Sequence, residues 1–217
     1  MSFKTYSILW IVLFCFGFPS GVFGQYIQKE TIGGKTYAVI YADGLAGAAQ
    51  WEIGVKMMKD GTTIRHQVSK GNGGNLSVND RIPFRFIVAT QDLENNDRNW
   101  MEVQGVTDGD QNQNSDFTNT VNLGCRWYGS SGAPGEGRTW RVPTQRELQL
   151  MWMFREAIGA IYNTQPMEET GKTKRYWTST EKGATDAWFF EFTPGVPYCD
   201  TQAKTTANGM VRCVSDY

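Results

Sequence analysis

Hydrophobic positions along the chain fall into two periodicities. Thr36-Tyr37-Ala38-Val39-Ile40-Tyr41 is a run of β-favouring residues after the turn pair Gly33-Gly34, and it predicts a strand. Trp51, Ile53 and Val55 alternate before Met57-Met58 and predict a second. Arg81 to Ala89 places Phe84, Phe86 and Val88 on one face, with Pro83 near the start where a strand tolerates it. Three more strands are expected at Arg175–Thr180, Ala187–Phe192 and Met210–Ser215. Between the two sets the period changes. Thr144 and Glu147 form a capping-box pair, Pro143 holds the entry extended, and Leu148, Leu150, Met151, Trp152, Met153 and Phe154 follow. This predicts a helix over about 145–158, apolar on nearly every side and therefore enclosed, ending at Gly159.

Polar stretches punctuate this pattern. Lys70–Asn75 is a glycine–asparagine loop, Asp108–Asn119 is the most polar segment, and Gly129–Gly137 is a glycine–serine loop. Pro194–Thr206 is read as a further excursion carrying Tyr198.

The N-terminus carries different chemistry. Lys4, the apolar run Ile8 to Phe18 and Val22-Phe23-Gly24 before Gln25 read as a signal peptide over residues 1–24. Cys15 lies within the apolar run behind Phe14, which does not fit a lipobox. An exported chain is expected, in the periplasm, at the cell surface or secreted, with no membrane span after cleavage. The remainder suffices for one good-sized domain, read as a β-rich segment at 25–84 and a second unit at 85–217.

Composition narrows the function. With 21 basic and 22 acidic residues the net charge is −1, and no basic stripe points to nucleic acid. His66 is the lone histidine, without a nucleophile elbow around it, and zinc catalysis would need several ligands at close spacing. No catalytic residues are assigned, and a non-enzymatic protein is expected. Oxygen-bearing side chains at 108, 110, 112, 114 and 116 resemble the start of a calcium loop, with Asp108, Asp110 and Asn112 as candidate ligands. Gln113 stands where the sharp-turn glycine is needed and Asn119 where a bidentate Glu belongs, so a solvated insertion is the preferred reading and no cofactor is assigned. Aromatics on or beside loops can stack on a sugar face, which makes Trp127, Tyr128 and Tyr198 the candidate ligand-binding residues. Cys125, Cys199 and Cys213 remain after cleavage, so two are expected to pair.

Four blocks in order carry a resemblance: Trp140-Arg-Val-Pro-Thr with Glu147-Leu148, Tyr176-Trp-Thr-Ser-Thr180, Ala187-Trp-Phe-Phe-Glu-Phe192, and Val211-Arg-Cys-Val214. Together they resemble the C-terminal domain of the Legionella collagen-like adhesin, over roughly residues 85–217. The closing segment and the helix also resemble the C-terminal part of Bacteroides-type fimbrial tip and surface proteins. The resemblance implies an α+β, C-type-lectin-like domain whose first helix lies at Asn99–Val103 and whose core blocks hold Trp100, Trp140, Trp152, Trp177 and Trp188, which are therefore expected to be buried packing residues. It implies a Cys125–Cys213 disulfide, with Cys199–Cys213 across a hairpin as the alternative. It further implies a binding or adhesion protein, fimbria-associated, recognising a glycan or a host or neighbouring surface protein through loops. The lectins' Glu-Pro-Asn, Gln-Pro-Asp and Trp-Asn-Asp calcium and sugar signatures are absent from the sequence. Two alternatives stand beside this reading: a structural subunit offering strand edges to neighbours, and an enzyme of the formylglycine-generating-like fold.

Overall fold

The computed structural model describes residues 24–43, 85–105, 121–164, 167, 174–182, 185–192 and 198–217. Strands β1 (Tyr26–Ile32) and β2 (Lys35–Tyr41) form a hairpin whose two turn residues, Gly33 and Gly34, have φ of 57° and 78°. Two successive positive φ angles match the right-handed twist of the flanking strands, and glycine adopts them without steric cost. β2 pairs with β3 (Arg85–Val88), and β3 with β9 (Val214–Asp216), giving an antiparallel sheet in the order β1-β2-β3-β9. The described part of the 25–84 segment is thus hydrogen-bonded into the sheet that holds the last strand. The expected strand at Trp51–Met58, the loop at Lys70–Asn75, His66 and nearly all of the leader lie outside the described residues.

The second sheet runs β4-β8-β5-β6-β7, built from Leu93–Arg98, Gly209–Val211, Lys174–Glu181, Asp186–Phe192 and Tyr198–Ala203. Its β5–β8 pair is parallel, meeting at Tyr176 and Met210, and the other pairs are antiparallel. With four helices added, the class is α+β, as expected.

Two sequence expectations are corrected here. Pro194–Thr206 is not simply a loop, because β7 occupies Tyr198–Ala203 and pairs with β6. Met210–Ser215 is not one strand but two, lying in different sheets. The break falls at Arg212-Cys213. Buried Arg212 donates from Nε to Ala89 O at 2.9 Å, from Nη1 to Asp92 Oδ1 at 3.0 Å and from Nη2 to Thr90 O at 3.1 Å. Those acceptors belong to the connection by which β3 leaves one sheet and β4 enters the other. The guanidinium therefore ties together two chain segments that switch sheets side by side.

Both faces of the first sheet are covered. Tyr37, Val39, Tyr41 and Ile87 pack with Trp100, Tyr128, Trp140, Trp177 and Phe189 on one side. Ala38, Ile40, Phe86 and Val88 pack with Leu148, Met151, Ile158, Tyr176 and Phe192 on the other. This two-sided enclosure explains why β2 and β3 read as continuous apolar runs rather than alternating ones. The indoles of Trp100 and Trp177 are buried with their N–H groups satisfied, donating to Thr178 O at 2.6 Å and Arg98 O at 3.0 Å.

Helix α1 (Trp100–Gln104) lies where the family's first helix was expected. Asn99 and Glu102 close a capping box, and Gly105 ends the helix in the left-handed conformation. Helix α2 (Gly124–Tyr128) packs against it. Gly124 has φ of 54°, and a Cβ there would stand 2.3 Å from Val103 O, so only glycine permits this approach. The capped helix is also present, but shorter than expected. Helix α3 (Gln145–Met153) stops at Phe154, and α4 (Arg155–Tyr162) continues in a new direction to left-handed Asn163. Gly159 is buried inside α4 rather than terminating the helix. At the break, Arg155 donates to Trp152 O at 3.1 Å and stacks its guanidinium 4.4 Å from the Trp152 ring centre. The reorientation lets the Tyr162 hydroxyl accept from Ala38 N at 2.7 Å and donate to Val88 O at 2.5 Å, pinning α4 across β2 and β3. Burial raises the Tyr162 phenol pKa well above its usual range.

The helix is also less enclosed than its composition suggested. Met153 is 58% exposed, and Trp152 and Trp188 are half-buried rather than core. The Thr144–Glu147 capping box forms as read: Glu147 N donates to Thr144 Oγ1 at 3.1 Å and Thr144 N to Glu147 Oε2 at 2.8 Å. Thr144→Ala is expected to cost about 1 kcal/mol in urea unfolding. An unchanged transition midpoint would mean that the cap contributes nothing.

Candidate functional site

Helix α2 divides its side chains by direction. Cys125 and Tyr128 turn inward, which leaves Arg126 and Trp127 on the outer face. Cys125 is bonded to Cys213 with a Cα–Cα distance of 5.5 Å, and Cys199 is the cysteine among the described residues outside that bridge. The disulfide locks α2 to the point where the chain changes sheets. Tyr128 is a correction: it is fully buried and cannot present its ring to a ligand. Its hydroxyl accepts from Thr90 N at 2.9 Å, and its ring meets Trp140 edge-on at 4.8 Å.

The loop after α2 closes on this pair. Gly135 N donates to Tyr128 O at 3.0 Å, and Trp140 Nε1 donates to Gly135 O at 2.7 Å. A Cβ at Gly135 would lie 2.4 Å from both aromatic side chains, so the glycine is required by close approach. Further out, Glu136 accepts from Ser131 Oγ and Gly132 N, each at 3.1 Å. The backbone bond from Gly132 and then the Ser131 hydroxyl pull the Glu136 carboxyl below its ordinary pKa. Lys35 Nζ reaches Glu136 O at 3.3 Å. A glycine-rich segment that reads as pliable is thereby fixed in one shape.

Beside this loop lies a cleft of about 520 Å³, lined by Gln104, Asn122, Arg126, Ser130, Arg138 and Trp140 among others. Among the described residues no carboxylate lines it. Arg141 also borders the cleft, but its guanidinium is engaged by Glu147, at 2.7 and 2.8 Å, and by Asp216 Oδ1 at 2.6 Å. Gln104 Nε2 and Arg138 Nε are shielded from solvent and have no acceptor among the described residues. Those two atoms are out of a ligand's reach, but the exposed Arg126 and half-buried Arg138 side chains give the described lining a positive charge that an acidic ligand would complement. A smaller pocket, about 170 Å³, is lined by Leu93, Arg98, Asn122, Leu123, Gly124 and Trp127. Asn122 belongs to both, so Arg126 and Trp127 address adjoining depressions from one helical turn.

Of the three aromatic candidates, then, only Trp127 lines a pocket. Tyr198 is 43% exposed on β7, edge-on to Phe189 at 5.9 Å, and borders neither depression. The structure does not bring the three together. Sequence reasoning missed Gln104, Asn122, Arg126 and Arg138. The usable signal was Arg126 and Arg138 bracketing the glycine-rich loop. Cys199 is half-buried, with Gln145 Nε2 3.1 Å from its sulfur. Asp108, Asp110 and Asn112 lie outside the described residues. Among the described residues no three His, Cys, Asp or Glu side chains cluster in a way that could hold a metal ion, and no helix is long and apolar enough to cross a membrane.

No curated protein matches the chain. The sequence profile of the Lcl C-terminal domain matches residues 88–215, which span α1 to α4, β4 to β8 and most of β9, and hold both halves of the disulfide. More than half of the chain lies within that match, and the protein belongs to the Lcl C-terminal domain family.

Proposed function

We propose that this protein is an exported, non-enzymatic surface-binding protein of adhesin type, whose C-type-lectin-like domain recognises an acidic glycan or protein group in the cleft beside the Gly129–Gly137 loop. Family membership supports the adhesin-like role. The disulfide joining an early helix to the closing strands supports the lectin-like reading of the scaffold. One observation carries the choice of site: Arg126 and Arg138 line a cleft to which the described residues contribute no carboxylate, so the lining needs an anionic partner. Carboxylate or sulfate oxygens match that need, because charge-assisted bonds to guanidinium are the strong ones. Loops fixed on a rigid scaffold are also where recognition concentrates.

The test is an array of sialylated, uronate-bearing, sulfated and neutral glycans together with acidic surface proteins, read with calcium and with chelator. Acidic ligands are expected to bind, weaken with rising salt and ignore the chelator. Arg126→Ala/Arg138→Ala is expected to weaken binding at least about tenfold with an unchanged melting temperature. Equal affinity of that variant for every ligand would move the site elsewhere.

A second reading, a subunit of a fimbrial or other surface assembly, is favoured by β1. It is an edge strand, paired on one side by β2 among the described residues. Exposed strand edges accept a further strand from a neighbour. Exchange-resistant amides on the outer edge of β1 in an assembly, and not in the isolated chain, would support this reading.

A further inference from the structure

At one end of the first sheet, side chains from three strands and from the residue after β9 form a row. Tyr26 is in register with Tyr41, Tyr41 with Arg85, and Tyr217 follows Asp216, the partner of Phe86. Tyr26 and Tyr41 are stacked at 4.5 Å with their planes 4° apart. Tyr217 lies on the far side of Tyr41 at 6.1 Å, tilted by 54°. The Arg85 guanidinium sits 5.2 Å from the Tyr41 ring centre and 6.0 Å from that of Tyr217. Glu30 accepts both phenol hydroxyls, that of Tyr41 on Oε1 and that of Tyr217 on Oε2 at 2.7 Å. Asp43 pairs with Arg85 at 3.5 Å.

Tyr41 is buried, but Tyr26 and Tyr217 are 39% and 50% exposed. Two large rings thus stand in solvent while held in orientation, Tyr217 by the Glu30 carboxylate and the Arg85 guanidinium and Tyr26 by its stacking on Tyr41. Fixed aromatics have already lost the rotamer freedom that binding would otherwise remove, and this pre-organisation favours recognition over mere packing. None of these residues borders the cleft at Arg126 and Arg138.

We infer that Tyr26, Tyr41 and Tyr217, with Arg85 and Glu30, form a second recognition surface, for the apolar C–H face of a neutral hexose unit. The charge pattern selects this class. Glu30 and Asp43 are balanced by Arg85 and by Arg138, whose charge also reaches Tyr217, so the row has no excess charge to draw an anionic ligand. A cationic one finds its place over the rings already taken by Arg85. A neutral sugar lays its C–H face on a ring, donates hydroxyls to the carboxylates and accepts from the guanidinium. The inference rests on reading the protein as a surface-binding protein, and its site is independent of the cleft.

The test uses the full chain with three neutral hexaoses, gluco-, galacto- and manno-configured, in saturation-transfer NMR and calorimetry. At least one is expected to bind, with saturation passing from tyrosine ring protons to sugar C–H protons. Tyr26→Leu/Tyr217→Leu keeps apolar area but removes the ring faces, and is expected to weaken binding at least tenfold. Tyr26→Phe keeps its ring face and leaves the Tyr217–Glu30 bond intact, and should stay within about threefold of the parent, which also controls for folding. Arg126→Ala/Arg138→Ala should leave hexaose affinity unchanged. Failure of that cleft variant to affect acidic glycans would count against the cleft alone. Absence of binding by all three hexaoses, or full affinity in the leucine variant, would overturn the inference.

Discussion

Replacing Cys125 and Cys213 together by alanine is expected to lower the unfolding free energy by about 4–5 kcal/mol, the largest effect of any change proposed. The bridge spans 88 residues of sequence, and on the chain-entropy picture releasing a loop of that length enlarges the unfolded ensemble by that amount. The native state should lose little in compensation, since both cysteines are buried among Trp100, Tyr128 and Trp177 and alanine leaves only a small void. Urea unfolding of the oxidised parent, the reduced parent and the double variant separates these effects. The reduced parent and the variant should agree within about 1 kcal/mol. A variant that unfolds at the parent's midpoint would show that the closing strands hold α2 without the bridge.

Arg141→Met is expected to cost about 3–5 kcal/mol, because it leaves the Glu147 carboxylate uncompensated where the side chain has no solvent contact. Glu147 also closes the cap on α3, so the charge cannot turn outward without exposing Thr144 N. Arg141 reaches Asp216 as well, and its backbone bridges to Val214, so the same residue ties the helix entry to β9. Asp216 is mostly exposed and should contribute little by itself. Adding Glu147→Gln to Arg141→Met should recover part of the loss, since a neutral amide can still accept from Thr144 N. A double-mutant cycle in urea reads this directly: a coupling energy below about 0.5 kcal/mol between positions 141 and 147 would mean that the pair acts independently.

How much of this was legible in the residues depends on the range of the forces involved. The Thr144–Glu147 cap, the Gly33-Gly34 turn and the strand identity of Thr36–Tyr41 rest on contacts within a few positions, so local chemistry was sufficient to read them. The Asn99–Glu102 box was equally local and simply went unread. The Cys125–Cys213 pairing came from resemblance, since spacing left Cys199–Cys213 open. What local chemistry could not foresee were events decided by distant partners. The division of Met210–Ser215 between two sheets follows from buried Arg212 bonding to Ala89, Thr90 and Asp92, more than a hundred residues away in sequence. The kink at Phe154 places Tyr162 against Ala38 and Val88, again a tertiary matter. Tyr128, Trp127 and Tyr198 look alike as loop aromatics, yet burial separates them: one is core, one lines a pocket and one is on an edge strand. The cleft donors and the tyrosine row escaped notice for the same reason. The sequence by itself determined strands β2, β5 and β6, the Thr144–Glu147 cap and the family. Only the tertiary structure decided which face of each element met solvent, because burial is a property of the assembled sheets and not of any short segment.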